Sequence, residues 1–175
     1  GDAQISTGNL VVAAAGKGLS FTGGTDPDTA GTATGNILTD YEEGTWTPSV
    51  VDDDGDAVTN LWATAFYTKI GRQVTVWAQF DLNSPGVSVD QTDVAQISGL
   101  PFTCMNTNNI FMGACQIQRG SYGGDYLVAR VMGNTSTLKI NDCVSGTGTS
   151  NDYLTIGELV THASTAPGFT VTYFV

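Results

Sequence analysis

The sequence predicts an all-β fold: an antiparallel β-sandwich or jelly-roll-like domain behind an extended N-terminal arm. Three observations carry this reading. Charged residues make up 13% of the 175-residue chain, about half the ~25% of ordinary globular proteins. Polarity comes instead from Thr, Ser, Asn and Gly, which suit strand surfaces and turns better than helix surfaces. Apolar and polar residues alternate with a period of two, above all along Val74 to Leu82, the pattern of a strand with one face in a core. Finally, no stretch of a dozen residues sustains helical periodicity, while Gly-rich clusters recur at the short spacing of sandwich and jelly-roll turns. A chain of this length buries roughly 70% of its extended surface as one domain, and its hydrophobic fraction of 41% can fill the core.

Taken in order, residues 1–40 form an arm and residues 41–175 a sandwich domain. The arm holds short apolar pieces, Leu10 to Val12, Leu19 to Phe21 and Ile37-Leu38, separated by Gly, Thr, Asp and Pro. Pieces of that size cannot bury their own faces, so the arm is expected to gain its partners from other copies of the chain. Trp46 is expected to anchor the first strand of the domain, with Pro48 at an edge or strand start. Phe66 to Ile70 and Val74 to Leu82 read as a hairpin turning at Gly71-Arg72. Within the second strand Val74, Val76, Ala78, Phe80 and Leu82 share one face, and Trp77 on the other hints at a second buried surface. Further strands are expected at Ile110 to Gln118, Tyr126 to Met132, Thr137 to Ile140, Tyr153 to Ile156 and Phe169 to Val175, with turn clusters between them.

Charge and composition exclude several functions. A net charge of -11 with only six Lys and Arg cannot supply the cation clusters that nucleic acid or an anionic membrane surface requires. The run Leu10 to Ala15 is too short to span a bilayer, so no membrane insertion is expected. Cys104, Cys115 and Cys143 have no CxxC spacing and only His162 to join them, which disfavours zinc. They read as small buried hydrophobes.

Asp40-Tyr41-Glu42-Glu43-Gly44-Thr45-Trp46-Thr47-Pro48 resembles a motif that recurs in tail-fibre and tail-associated proteins of phages and prophages. It is preceded by pieces similar to that group's at Gly8 to Val12 and Gly16 to Phe21. It is followed by others at Tyr67 to Val76 and Ile97 to Thr103, in the group's order. The resemblance covers most of the chain up to Thr103. It implies a homotrimeric, all-β distal segment of a virion fibre. Such a segment is assembled in the host cytoplasm, exposed extracellularly on the particle, joined to other tail proteins and in contact with a host receptor. It carries no known set of binding residues onto this chain.

The candidate sites follow from side-chain chemistry. Glu42 and Glu43 are adjacent, so in an extended strand they point to opposite faces and cannot flank one substrate bond. His162 is the lone histidine and no Gly-x-Ser-x-Gly elbow occurs, so no catalytic set is expected. Asp52, Asp54 and Asp56 alternate as calcium ligands do. The glycine that should follow the third Asp is missing, however, and Asp-Gly in an acidic run is a common hairpin turn. No metal or other cofactor is therefore expected, with those three residues as the calcium candidates. For binding, Tyr122 in a Gly-rich turn and Trp62 in an irregular stretch offer flat apolar faces to sugar rings, with Asp125 and Asn151 as hydroxyl partners. Trp62 has the alternative of packing in the core or a trimer interface. The leading expectation is a trimeric, non-enzymatic fibre-tip domain that binds a host surface glycan or protein. A purely structural fibre module or cap, and a free lectin-like carbohydrate-binding module, are the alternatives.

Overall fold

The structure is a computed structural model that describes residues 19–20, 37–38, 41–82, 89–108, 110–118, 124–143, 151–160 and 166–175. Two two-residue strands, β1 (Leu19–Ser20) and β2 (Ile37–Leu38), pair antiparallel. The rest of the arm lies outside the described residues. The domain is built of β3 (Tyr41–Thr45), β4 (Ser49–Val51), β5 (Asn60–Ile70), β6 (Gln73–Leu82), β7 (Gln96–Ser98), β8 (Phe111–Gln118), β9 (Tyr126–Val131), β10 (Leu138–Cys143), β11 (Asn151–Tyr153), a one-turn helix α1 (Ile156–Leu159), and β12 (Ala166–Phe174). The fold is all-β, as the composition predicts.

These strands form one antiparallel sheet in the order β3-β5-β6-β12-β8-β9-β10-β7-β4, with β11 pairing β10 beside this path. Val50 of β4 and Ile97 of β7 lie in the same buried cluster as Val74, Val76 and Phe80 of β6 and Tyr173 of β12. Core faces from both ends of the order can meet only if the sheet curls over on itself, which makes a sandwich from one sheet.

The chain seals that curl at the nonapeptide. β3 and β4 are consecutive in sequence yet occupy opposite edges of the sheet, and Thr45 to Pro48 is the step between them. Trp46 is buried in the step with its ring 6.3 Å from that of Phe169, and its backbone N–H donates to Ala65 O at 3.3 Å. Gly44 leaves room for the Tyr67 ring, whose edge a Cβ there would approach to 2.9 Å. The Tyr67 hydroxyl donates to Glu42 Oε1 at 2.5 Å, while the Tyr41 hydroxyl donates to Glu43 Oε2 at 2.7 Å. Trp46 is thus the expected anchor, Pro48 stands just before edge strand β4, and the two glutamates point to opposite faces.

Several expectations need correction. β5 starts at Asn60 rather than Phe66, so Trp62 belongs to a strand and not to an irregular stretch. A β-bulge between Asn60 and Trp62 shifts the register there, which breaks the alternation a sequence reader follows. The strand expected over Tyr153 to Ile156 stops at Tyr153, and Ile156–Leu159 is helical. There Thr155 and Glu158 form a reciprocal capping box, which supplies the local bonds that end the strand and start the turn. Cys104 and Cys143 are buried and Cys115 half-buried, all as free thiols. No helix among the described residues is long and apolar enough to cross a membrane.

Candidate binding face

The outward side of the first half of the sheet differs from every other surface of the described domain. Pairing fixes which residues stand there: Phe66 is opposite Trp77, Thr64 opposite Gln79, and Thr68 opposite Thr75. Across β6, Trp77 is opposite Thr170 and Thr75 opposite Thr172. Further on, Gly168 is opposite Gln116. This face carries Trp62, Phe66 and Trp77 at 45%, 51% and 40% exposure, with Tyr41, Ile70, Met112 and Phe174 also exposed. Its acidic residues, Glu43 and Asp81, stand near its margins; no Lys or Arg of β3, β5, β6, β12 or β8 stands on it, and Arg130 of β9, opposite Met112, marks its far border. In a chain of net charge -11 such an uncharged aromatic face is a candidate interaction surface.

The local geometry arises from small residues beside large ones. Phe66 and Trp77 stack with centroids 5.7 Å apart and planes 22° apart, an arrangement worth about 0.5–1.5 kcal/mol beyond area burial. Phe66 comes from the β5 side, so the other side of the indole looks toward β12. There Gly168 has no side chain and Ala114 a short one. The result is a depression of about 420 Å³ lined by Trp77, Gln79, Ala114, Gln116, Gly168 and Thr170, with Cys115 and Phe169 also contributing. The Cys115 side chain faces the core, opposite Phe169 and Leu127, and burial pushes its thiol up to about 12, so it is no nucleophile at ordinary pH. Thr170 Oγ1 donates to Val76 O at 3.2 Å, and the Thr75 and Thr172 hydroxyls are 2.9 Å apart. Among the described residues neither the Gln79 nor the Gln116 amide has a hydrogen-bond partner.

The residues singled out in the sequence are distributed over different regions. Trp62 is on this face, opposite Asp81. Asp125 is exposed beside β9, with its backbone N–H donating to Cys143 O at 2.9 Å. The Asn151 backbone pairs with the same Cys143, so the structure brings Asp125 and Asn151 together at one end of β10. In sheet order β10 is five strands from β5, apart from Trp62. Tyr122 lies outside the described residues. Sequence reasoning missed Phe66, Gln79, Gln116 and Gly168. Of these, only the Phe66–Trp77 pair had a local signal, the two-residue turn at Gly71-Arg72 that sets the hairpin register.

The acidic cluster is built into the fold. Asp52 is 2% exposed, and its Oδ1 accepts from the backbone N–H groups of Asp54 at 3.1 Å and Asp56 at 2.8 Å. Its Oδ2 accepts from the Asp90 N–H at 3.2 Å. Asp53 Oδ1 accepts from Gln96 Nε2 at 2.7 Å and lies 4.0 Å from Lys139 Nζ, while Asp54 and Asp56 are exposed. A bridge between Val51 and Ala57 closes the turn. Among the described residues no group of three or more His, Cys, Asp or Glu is arranged to hold a metal ion. Beyond Lys139, Arg130 and Lys139 both stand over the Tyr153 ring, at 5.6 and 5.3 Å from its centroid, and Arg130 Nη1 donates to Asn141 Oδ1 at 3.2 Å.

No protein-family model, curated protein or solved structure matches the chain.

Proposed function

We propose that this chain is a distal domain of a phage-type tail fibre, homotrimeric through residues 1–40, that binds a host-cell surface receptor without catalysis. The receptor is a glycan or a surface protein, and other tail proteins hold the fibre to the particle. The observation that carries the binding part is the uncharged aromatic face around Phe66 and Trp77, whose exposed rings and unpaired amides have no use within the described domain. The order of motifs up to Thr103 supports the fibre part. The nonapeptide's role as the seam of the sheet gives those residues a structural reason to occur together, independent of any ligand.

The test is to label the protein fluorescently and incubate it with a panel of bacterial strains, intact and protease-treated, while light scattering measures its mass. The reading expects a trimer that stains some strains, with staining lost in Phe66→Ala/Trp77→Ala. A trimer that stains none would favour the structural module, and a monomer that stains cells would favour a free lectin-like domain.

A further inference from the structure

We infer that the depression over Gly168 is a subsite for one residue of a neutral saccharide. This rests on the receptor-binding reading above and narrows it to a place and a ligand class. Three features converge there. The Trp77 indole is held upright by Phe66 on one side, leaving the other side toward the depression. An aromatic face fixed before binding loses little entropy on contact and suits the C–H face of a sugar ring, whose apolar hydrogens meet the negative π-cloud. Gln79 and Gln116, opposite strand neighbours of Thr64 and Gly168, each offer both a donor and an acceptor. Hydroxyl groups likewise donate and accept, so two free amides and the acceptor capacity of Thr170 Oγ1 match them without specifying charge.

Charge decides the class. No ionised side chain lines the depression, so a carboxylate or sulfate placed there would be desolvated without a cation partner. The chain's net charge of -11 also repels polyanionic polymers at long range. A neutral polyhydroxylated ring meets neither penalty. Size agrees, since about 420 Å³ is near the lower end of the ~300–1,000 Å³ of small-molecule sites.

Gly168 provides the test. A Cβ there would have its nearest neighbours at 3.8 Å, ordinary contact distance, so Gly168→Leu should fill the depression while leaving the Phe66–Trp77 stack in place. The wild-type protein, Gly168→Leu and Gln79→Ala/Gln116→Ala are applied to an array of neutral hexose and N-acetylhexosamine oligosaccharides beside carboxylated and sulfated ones, and to the strain panel. The inference expects wild-type binding to neutral members only, reduced about tenfold or more in both variants, with melting temperatures near that of wild type. If Gly168→Leu does not fold, the double glutamine variant alone carries the same expectation. Strain staining that survives in these variants, or binding confined to acidic members, overturns the subsite while the receptor-binding reading stands. Failure of the wild type to stain any strain overturns both.

Discussion

Two regions of this domain use similar side chains in opposite ways. In the second half of the sheet and its turns, polar groups are committed to internal bonds. Asp52 ties down three backbone N–H groups, Asp53 bridges Gln96 and Lys139, and Tyr153 lies under both Arg130 and Lys139. On the outer face of the first half, five aromatic residues are exposed and two amides lack partners among the described residues. Burial and hydrogen bonding explain most of the first region, where Arg130 Nε is buried without a hydrogen-bond partner. The second has no counterpart within the described residues, and the proposed receptor would supply one, because exposed aromatic area in contact with water contributes nothing to folding. The lesson is that acidic density, the most conspicuous feature of the sequence, marks a folded turn, while the face proposed for binding is where charge is sparse.

Substitutions can sharpen that contrast. Phe80→Ala empties the shared core and should cost about 3–5 kcal/mol, read by urea denaturation. Asp52→Ala removes the buried acceptor of three backbone N–H groups and should cost about 2–3 kcal/mol. In wild type, neither chelator nor millimolar calcium should move the melting temperature, since Asp52's oxygens are already occupied by N–H groups. A calcium-dependent rise of several degrees would move the acidic turn from structure to function. Tyr173→Phe should cost about 1 kcal/mol, because the buried hydroxyl donates to Phe102 O at 3.0 Å.

The same tyrosine predicts an alkaline limit. Burial raises the Tyr173 hydroxyl from 10.0 to about 12, so its contribution to stability is fully present below pH 10 and is lost as pH rises toward 12. Tyr67 and Tyr41 are also raised, chiefly by their bonds to Glu42 and Glu43. Absorbance titration of tyrosinate should therefore show these three ionising later than free tyrosine, with unfolding coupled to the last. Trp77→Ala should cost about 1–3 kcal/mol, since the stack with Phe66 and the buried part of the indole are lost together.

Much of the fold could be read in the sequence. The alternation from Val74 to Leu82 marks β6 to within one residue of its start, and Gly71-Arg72 pairs Ile70 with Gln73 across a turn where Gly71 has φ of 58°. Counting back from that pair places Phe66 opposite Trp77, so half of the candidate face follows from local information. The other half does not. Gly168 and Thr170 reach Gln79 and Trp77 only because β12 pairs with β6, a contact between distant segments with no local signal. The bulge beside Trp62 hid the start of β5 for the same reason that bulges mislead pattern reading: one extra residue reverses the phase. Thr155 and Glu158 did announce a capping box, but a single helical turn leaves no periodicity to notice.

The central claim is that the uncharged aromatic face serves a ligand and not the fold. Its most direct test is Phe66→Ala/Trp77→Ala, measured for melting temperature and for binding to the saccharide array and strain panel in one experiment. The account predicts a fall of about 5–10 °C, as the ~2–3 kcal/mol of stacking and partial burial gives for a domain of this size, together with binding reduced about tenfold or more. A large loss of stability with binding intact in the surviving folded fraction would contradict it.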